Sequence, residues 1–352
     1  MENTNENNTS LIHIGSTGLV SVKNSISITN KILAENRNRY LNSFAGTTFW
    51  STNLFNKMSI RDIINYDEKN EIIVAGNNGI IYFLSKKGGT ITNQINIGNP
   101  IYKLCLVKNE KINFLYAGVM SGELFKIELN DNLNYTNFKT HNSAISGILY
   151  SQKFNFIITT STDGYIKIWD ILKNVLINSI NAHVLTESIA ISNNILISAG
   201  LSGEIKFVSL PNLHFINEYK GNRDKEFEKK VAINSKLNRL AVGSFMESTI
   251  QILDLNNLKI LNVIELNIKF AIGDLCYSSD DKFLCAACSD GTVKIFDAVN
   301  HDLLLNYKDH ISIANKEIEK TYGGNRVLAA LFDTNNKNLF TGDMSGNINY
   351  WG

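Results

Sequence analysis

The chain has 352 residues, 44% of them hydrophobic, and can therefore bury the core of one large domain or two ordinary ones. Its 34 basic and 33 acidic residues give a net charge of +1, which argues against a strongly electrostatic partner such as nucleic acid or an anionic membrane. No run of about 18 apolar residues occurs, so no membrane span is expected.

The chain begins with a polar, asparagine-rich segment, residues 1–9, which we predict to be a disordered tail. This segment lacks the apolar stretch of a signal peptide, so we expect a cytoplasmic or nuclear protein whose four cysteines are reduced. Residues 11–22 form a first hairpin pattern, and residues 24–33 are a candidate for one further strand.

Residues 34–56 interrupt this pattern and are unusually aromatic, with Tyr40, Phe49 and Trp50 among them. We interpret the segment as an inserted connection. Two further insertions are predicted at 220–230 and 308–325. Loops held on a rigid scaffold often carry recognition, but insertions in an asparagine-rich chain can equally be disordered.

From Ser59 onward one unit repeats about every 40–45 residues: a short strand, a second strand, a tight turn closing on glycine, and a third strand. The turns close at Gly79, Gly122, Gly164, Gly203, Ser248, Gly291 and Gly346. The third strands are predicted at 80–84, 123–129, 165–169, 204–208, 250–253, 292–296 and 347–351. Most copies also have a fourth, outer strand.

The copy at residues 157–170 is the most complete. It has a turn aspartate, Asp163, a strand threonine, Thr159, and a strand ending in Trp169, with His141 upstream. This combination resembles a WD repeat, the blade unit of a β-propeller. The resemblance implies that these four side chains form a buried hydrogen-bonded set, because a buried indole N–H and an imidazole both need partners. A catalytic histidine–aspartate pair is the alternative, but the pattern places no nucleophile beside it.

The other copies are degenerate, so this set is expected in one blade alone. The copy after His183 has Ser202 in its turn, and a long connection displaces His310 from its usual place in the last copy.

The fold class predicted is all-β: a single closed β-propeller over residues 10–352, with seven four-stranded blades. Eight blades are the alternative, because the hairpin at 11–22 makes a partial match. The last copy has no fourth strand of its own, and an open strand edge invites aggregation. We therefore expect an N-terminal strand, supplied by residues 11–33, to close the last blade.

The face that carries the turns between second and third strands is called the top face. Apolar residues stand two positions before the turn residue in four copies, namely Met120, Leu201, Met246 and Met344. Hairpin turns normally favour small polar residues there. Together with Tyr40, Phe49 and Trp50, these residues are candidates for partner binding on the top face. The alternative is that they fold back beneath neighbouring loops.

The resemblance implies a non-catalytic scaffold for protein–protein interactions within a complex, with proteins or peptides as partners. No nucleotide-binding, metalloprotease or nucleophile-elbow motif occurs, so we predict no enzyme, no small-molecule substrate and no cofactor. Cys285 and Cys288 have CxxC spacing, but positions i and i+3 of a strand point to opposite faces, so no metal site is predicted.

The alternative function is an RNA- or ribonucleoprotein-associated propeller. It depends on basic and aromatic residues in the aromatic insertion, namely Arg37, Arg39, Tyr40 and Trp50. The near-zero net charge argues against it, so nucleic acid is an unexpected but not an excluded partner.

Overall fold

The computed structural model describes residues 48–54, 58–108, 113–220, 229–244, 248–268, 272–310 and 325–352. Within these ranges the chain forms seven four-stranded antiparallel sheets and no α-helix, with one 3-10 turn at Asp67–Lys69. In the same ranges no helix is long and apolar enough to cross a membrane. The predicted all-β class and the predicted seven blades are therefore confirmed.

Each of the first six blades uses four strands that are consecutive in the chain. Blade 1 comprises β2 (Ile60–Tyr66), β3 (Glu71–Gly76), β4 (Ile80–Ser85) and β5 (Ile91–Asn96). Blade 2 comprises β6 (Ile101–Val107), β7 (Phe114–Val119), β8 (Glu123–Glu128) and β9 (Tyr135–Lys139). Blade 3 comprises β10 (Ile145–Ser151), β11 (Phe156–Ser161), β12 (Tyr165–Asp170) and β13 (Val175–Asn181).

Blades 4 to 6 continue this order. Blade 4 comprises β14 (Thr186–Ser192), β15 (Ile195–Gly200), β16 (Ile205–Ser209) and β17 (His214–Tyr219). Blade 5 comprises β18 (Lys229–Asn234), β19 (Arg239–Ser244), β20 (Thr249–Asp254) and β21 (Ile260–Glu265). Blade 6 comprises β22 (Ile272–Tyr277), β23 (Phe283–Cys288), β24 (Val293–Asp297) and β25 (Leu303–Tyr307).

Blade 7 joins the two ends of the described chain. It comprises β26 (Val327–Phe332), β27 (Leu339–Asp343), β28 (Asn347–Trp351) and, as its outer strand, β1 (Thr48–Asn53). An N-terminal strand closes the last blade, as predicted, but the expectation that residues 11–33 supply it was wrong. The edge of β28 can pair only once, and β1 occupies it, with Trp50 opposite Tyr350 and Asn53 opposite Asn347.

Part of the predicted insertion at 34–56 is therefore this outer strand. The disordered tail predicted at 1–9, the hairpin at 11–22 and most of the insertions at 220–230 and 308–325 lie outside the described residues.

The first strands of the blades form a closed ring around a central channel. Each contacts the first strands of its two neighbours, and β26 contacts β2 to complete the circle. Between adjacent blades the inward faces of the sheets form separate apolar clusters; one between blades 3 and 4 includes Phe156, Ile158, Leu196 and Val208. Alternation of side chains along each strand thus buries the two faces of each blade against its neighbours.

The turns place residues with left-handed backbone at fixed positions. On the top face, Gly164 has φ +85°, and a Cβ there would lie 2.2 Å from the His183 carbonyl oxygen of the next blade, so only glycine fits. On the opposite, bottom face, the turns between first and second strands use asparagine or aspartate in this conformation, at Asn70, Asn155, Asn193, Asn238, Asp281 and Asn336.

Candidate functional site

The predicted set in blade 3 comes together in space. His141 Nε2 lies 2.8 Å from Thr159 Oγ1, and Trp169 Nε1 donates to the same oxygen at 2.8 Å. His141 Nδ1 lies 3.1 Å from both carboxylate oxygens of Asp163. In a neutral imidazole, Nδ1–H donates to Asp163 and Nε2 accepts the threonine hydroxyl. Every polar atom of the set then has a partner.

The protonation state of this histidine follows from its surroundings. Burial lowers the pKa of His141 to about 4, an effect that the Asp163 carboxylate only partly offsets. At neutral pH the contact between them is therefore a hydrogen bond from a neutral imidazole to a carboxylate.

Blade 7 contains a second complete set, contrary to the expectation that only one blade has it. His310 Nδ1 lies 2.7 Å from Asp343 Oδ2, and its Nε2 lies 2.8 Å from Thr341 Oγ1. Trp351 Nε1 donates to the same threonine oxygen at 2.7 Å. The carboxylate comes from the end of the second strand, three residues before the turn glycine Gly346, whereas Asp163 stands directly before its glycine.

Blade 4 contains a third, partial set. His183 Nδ1 lies 2.8 Å from Glu204 Oε1, and its Nε2 lies 2.9 Å from Ser198 Oγ. Here the carboxylate follows the turn glycine, and a valine, Val208, stands where the other two sets have tryptophan. Burial opposes ionisation of Glu204, but hydrogen bonds from His183 and Ser202 prevail and lower its pKa to about 2.

A sequence signal for the two missed sets does exist. Each combines a histidine before a first strand, a hydroxyl on the second strand, and a carboxylate within three residues of the turn glycine on either side. A search with one fixed spacing finds Asp163 and misses Glu204 and Asp343.

The four apolar turn positions differ in exposure. Met120 is 54% exposed, whereas Leu201 and Met344 are half-buried, and Met246 lies outside the described residues. Met120 lines the mouth of the channel together with Thr162 of the next blade. Of the four positions, Met120 is thus the one at which the structure shows a large apolar side chain open to a partner.

The aromatic candidates of the N-terminal segment belong to the closing strand. Trp50 Nε1 donates to the Lys86 carbonyl at 2.8 Å, and its ring packs on Phe340 and Tyr350. Phe49 is 54% exposed, with its ring 5.4 Å from that of Tyr350. Tyr40, together with Arg37 and Arg39, lies outside the described residues.

The cysteines of the CxxC segment are buried free thiols on β23. Cys285 lies opposite Cys276 of β22, and burial raises the pKa of the Cys285 thiol well above its ordinary value. Burial also raises the pKa of Cys288, to about 12. Among the described residues no group of three or more histidine, cysteine or acidic side chains could hold a metal ion.

The channel holds a cavity of about 710 Å³ that is lined by the first strands and opens on the top face at Met120 and Thr162. Its charged lining comprises Arg61, Asp62, Lys103, Lys230, Asp274 and Arg326. Lys103 Nζ lies 3.2 Å from Asp62 Oδ1. The described part of the top face thus has a charged cavity that opens beside an exposed methionine.

Seven four-stranded blades around a channel, with histidine, hydroxyl and tryptophan joined by hydrogen bonds in two of them, define a closed β-propeller built from WD-type repeats. Comparison with family models agrees. Residues 231–318 match the model of the anaphase-promoting complex subunit 4 WD40 domain, and residues 41–174 match that of the lambda-carrageenase beta-propeller domain. These partial matches and the seven-bladed fold support a WD-repeat β-propeller family. Comparison with curated proteins finds no match for the chain.

Proposed function

We propose that this protein is a non-catalytic scaffold that holds other proteins in a complex, and that a partner docks on the top face. The observation that carries the proposal is Met120, a 54% exposed methionine in a tight turn at the mouth of the channel. An unbranched, polarisable side chain of this kind adapts well to a protein surface. WD40 domains generally serve as interaction modules, which supports the same role.

The outer strands offer further contact surface. Large hydrophobic side chains are exposed near the start of the outer strand in six consecutive blades. They are Ile91, Tyr135, Val175, Leu176, Ile177, Phe215, Ile216, Ile260, Leu261 and Leu303. Scattered exposed apolar residues are ordinary, but grouping at equivalent positions is typical of interaction sites. These exposed side chains on the outer strands support a scaffold that offers several contact surfaces to partners at once.

The histidine sets support a structural rather than a catalytic role. In each of the three sets both imidazole nitrogens are occupied, one by a carboxylate and the other by a hydroxyl, and the histidine side chains have no accessible surface. A general base must reach a proton of the substrate. An imidazole enclosed on both sides cannot.

We further propose a cytoplasmic or nuclear location. Support comes from Cys276 and Cys285, two free cysteines that face each other across neighbouring strands, because thiols persist in reducing compartments. Association with RNA gains no support from Trp50, whose ring packs against the closing blade and is not available for stacking on a base.

Affinity purification from the native cell tests the scaffold proposal. The triple substitution Met120→Asp, Leu201→Asp and Met344→Asp is expected to abolish recovery of the main partner, because a buried charge at the centre of an interface is strongly unfavourable. Lys87→Asp, at an exposed position outside the top-face turns, is the control and should leave recovery unchanged. Thermal melts establish that each variant is folded. Full recovery by a folded triple variant would refute docking at these turns.

A further inference from the structure

The two acidic side chains of the channel, Asp62 and Asp274, accept hydrogen bonds from the backbone of the propeller. Asp62 Oδ2 accepts the Leu104 backbone N–H of the next blade at 2.8 Å. Asp274 Oδ2 accepts the backbone N–H of Ala330 in the following blade at 3.0 Å, and its Oδ1 accepts that of Leu275. Both carboxylates therefore tie one first strand to its neighbour, and they offer little capacity for a ligand.

Ser188 does the same between blades 4 and 5, since its hydroxyl oxygen accepts the Val231 backbone N–H at 3.2 Å. Three of the seven strand-to-strand junctions around the channel thus use a side chain of the same inward-facing position. This repetition marks Asp62 and Asp274 as parts of the scaffold rather than as a ligand-binding pair.

Two of the basic side chains, Arg61 and Lys230, are not matched in the same way. Lys103 is paired with Asp62, whereas Arg61 and Lys230 form no close ion pair with a described residue, although Lys230 is near enough to Asp274 to favour ionisation of that carboxyl group. Arg61 lies over the Tyr102 ring at 5.0 Å, and its buried Nε has no hydrogen-bond acceptor among the described residues. A buried donor without a partner is costly unless a ligand supplies one.

Charge adds to this geometry. Four cationic and two acidic side chains line the cavity, so the lining has an excess of two positive charges. Burial raises the pKa of Asp274, so its carboxyl group carries a negative charge less readily. A volume of about 710 Å³ falls within the range of small-molecule sites.

We propose that the channel of this propeller binds a small anion with at least two negative charges, such as a phosphate ester or a diphosphate, and that Arg61 and Lys230 hold its charged group. Guanidinium groups match the geometry of phosphate oxygens, and partial burial strengthens each charge-assisted hydrogen bond. The proposal does not depend on the docking of a protein partner, although Met120 lines the mouth of the same cavity.

Calorimetric titration of the full chain with pyrophosphate tests the proposal, with chloride at equal ionic strength as the reference. One molecule is expected to bind and to raise the melting temperature. Arg61→Gln and Lys230→Gln should each weaken binding by about tenfold or more, since each removes a charge-assisted contact. Lys87→Gln, at an exposed position outside the channel lining, is the matched control and should bind like the unaltered protein.

Two charge-conserving variants guard against a general effect on folding. Arg61→Lys and Lys230→Arg should retain most of the binding if charge in the channel is responsible. No binding of pyrophosphate, or equal binding by a folded double variant with Arg61→Gln and Lys230→Gln, would overturn the proposal. Binding of a glutamate-rich peptide without binding of pyrophosphate would also overturn it, in favour of an acidic protein segment as the occupant.

Discussion

The ammonium of Lys86 lies 2.6 Å from Asp333 Oδ1, and this buried ion pair joins blade 1 to blade 7. The same ammonium lies 2.6 Å from Asp67 Oδ1, and the Lys86 carbonyl accepts the indole N–H of Trp50 on the closing strand. One lysine thus contacts blade 1, blade 7 and β1, the three parts that meet where the ring closes.

Replacing this lysine should destabilise the propeller strongly. Lys86→Met is expected to lower the free energy of unfolding by about 3–5 kcal/mol, because it leaves the Asp333 carboxylate buried without its counter-ion. Urea denaturation measures the loss. The exposed neighbour provides the control, since Lys87→Met should change stability by less than about 0.5 kcal/mol. Addition of Asp333→Asn to the Lys86→Met variant should restore part of the stability. If Lys86→Met and Lys87→Met are equally stable, the buried ion pair of Lys86 does not stabilise the propeller.

Two truncations isolate the closing strand. A chain that lacks residues 1–53 loses β1 and exposes the edge of β28, so it should aggregate or melt at a much lower temperature. A chain that lacks residues 1–33 retains β1 and serves as the comparison. Light scattering and thermal melts distinguish the two. If both truncated chains remain monomeric and melt together, pairing of β1 with β28 is not important for stability.

The two complete sets should differ in their sensitivity to loss of the carboxylate. Asp343 is fully buried and accepts hydrogen bonds from His310, Asn325 and Asn347 side chains and from two backbone N–H groups. Asp163→Ala should cost about 1–3 kcal/mol, and Asp343→Ala should cost more, because more buried donors lose their acceptor. Denaturant unfolding of both variants gives the order, and the reverse order would show that burial of the carboxylate is not decisive.

The lowered pKa of His141 makes stability depend on pH. Because this pKa is about 4 in the folded chain and 6.5 ordinarily, the unfolded chain binds the proton more readily between these values. Stability from the neutral imidazole is therefore complete above pH 6.5 and decreases by about 1.4 kcal/mol per pH unit on acidification towards pH 4. Unfolding at pH 7.5 and 5.5 measures the decrease. His141→Gln, which cannot titrate, should show a smaller decrease; an unchanged pH dependence would exclude His141 as its source.

The bottom-face turns allow a test of backbone strain. Asn193 is exposed and has φ +54° between β14 and β15. Asn193→Ala should destabilise by about 1 kcal/mol, because alanine tolerates left-handed backbone less well than asparagine. Asn193→Gly, in contrast, should be neutral or slightly stabilising. Thermal unfolding of the pair compares them directly, and greater stability of the alanine variant would contradict the assigned conformation.

Local features of the chain were sufficient to predict most of the fold. Six glycines close top-face turns with positive φ, and all seven predicted third strands match observed ones to within a few residues. A hairpin is specified by neighbouring residues: a turn that needs positive φ and two strands that alternate around it. The strand β1 has no such local signal, because its partner β28 lies near the other end of the sequence.

The rest of the candidate site depends on convergence in space. Glu204 and Asp343 occupy different positions relative to their turn glycines, yet each reaches the Nδ1 atom of a histidine. Similarly, Arg61, Lys103, Lys230 and Arg326 are distant in sequence and meet only where the first strands form the ring. A net charge of +1 for the whole chain conceals this local concentration of positive charge.

Closure of blade 7 by β1 also constrains the order of folding. Asn53 and Asn347 hydrogen-bond across 294 residues of sequence. Joining two points so far apart costs about 5 kcal/mol in loop-closure entropy unless the intervening blades have already formed. Contacts of such long range form slowly, so blades 1 to 6 should assemble before β1 pairs with β28. Until β28 leaves the ribosome, the nascent ring exposes two unpaired strand edges, which makes this interval the one in which a chaperone would protect the chain.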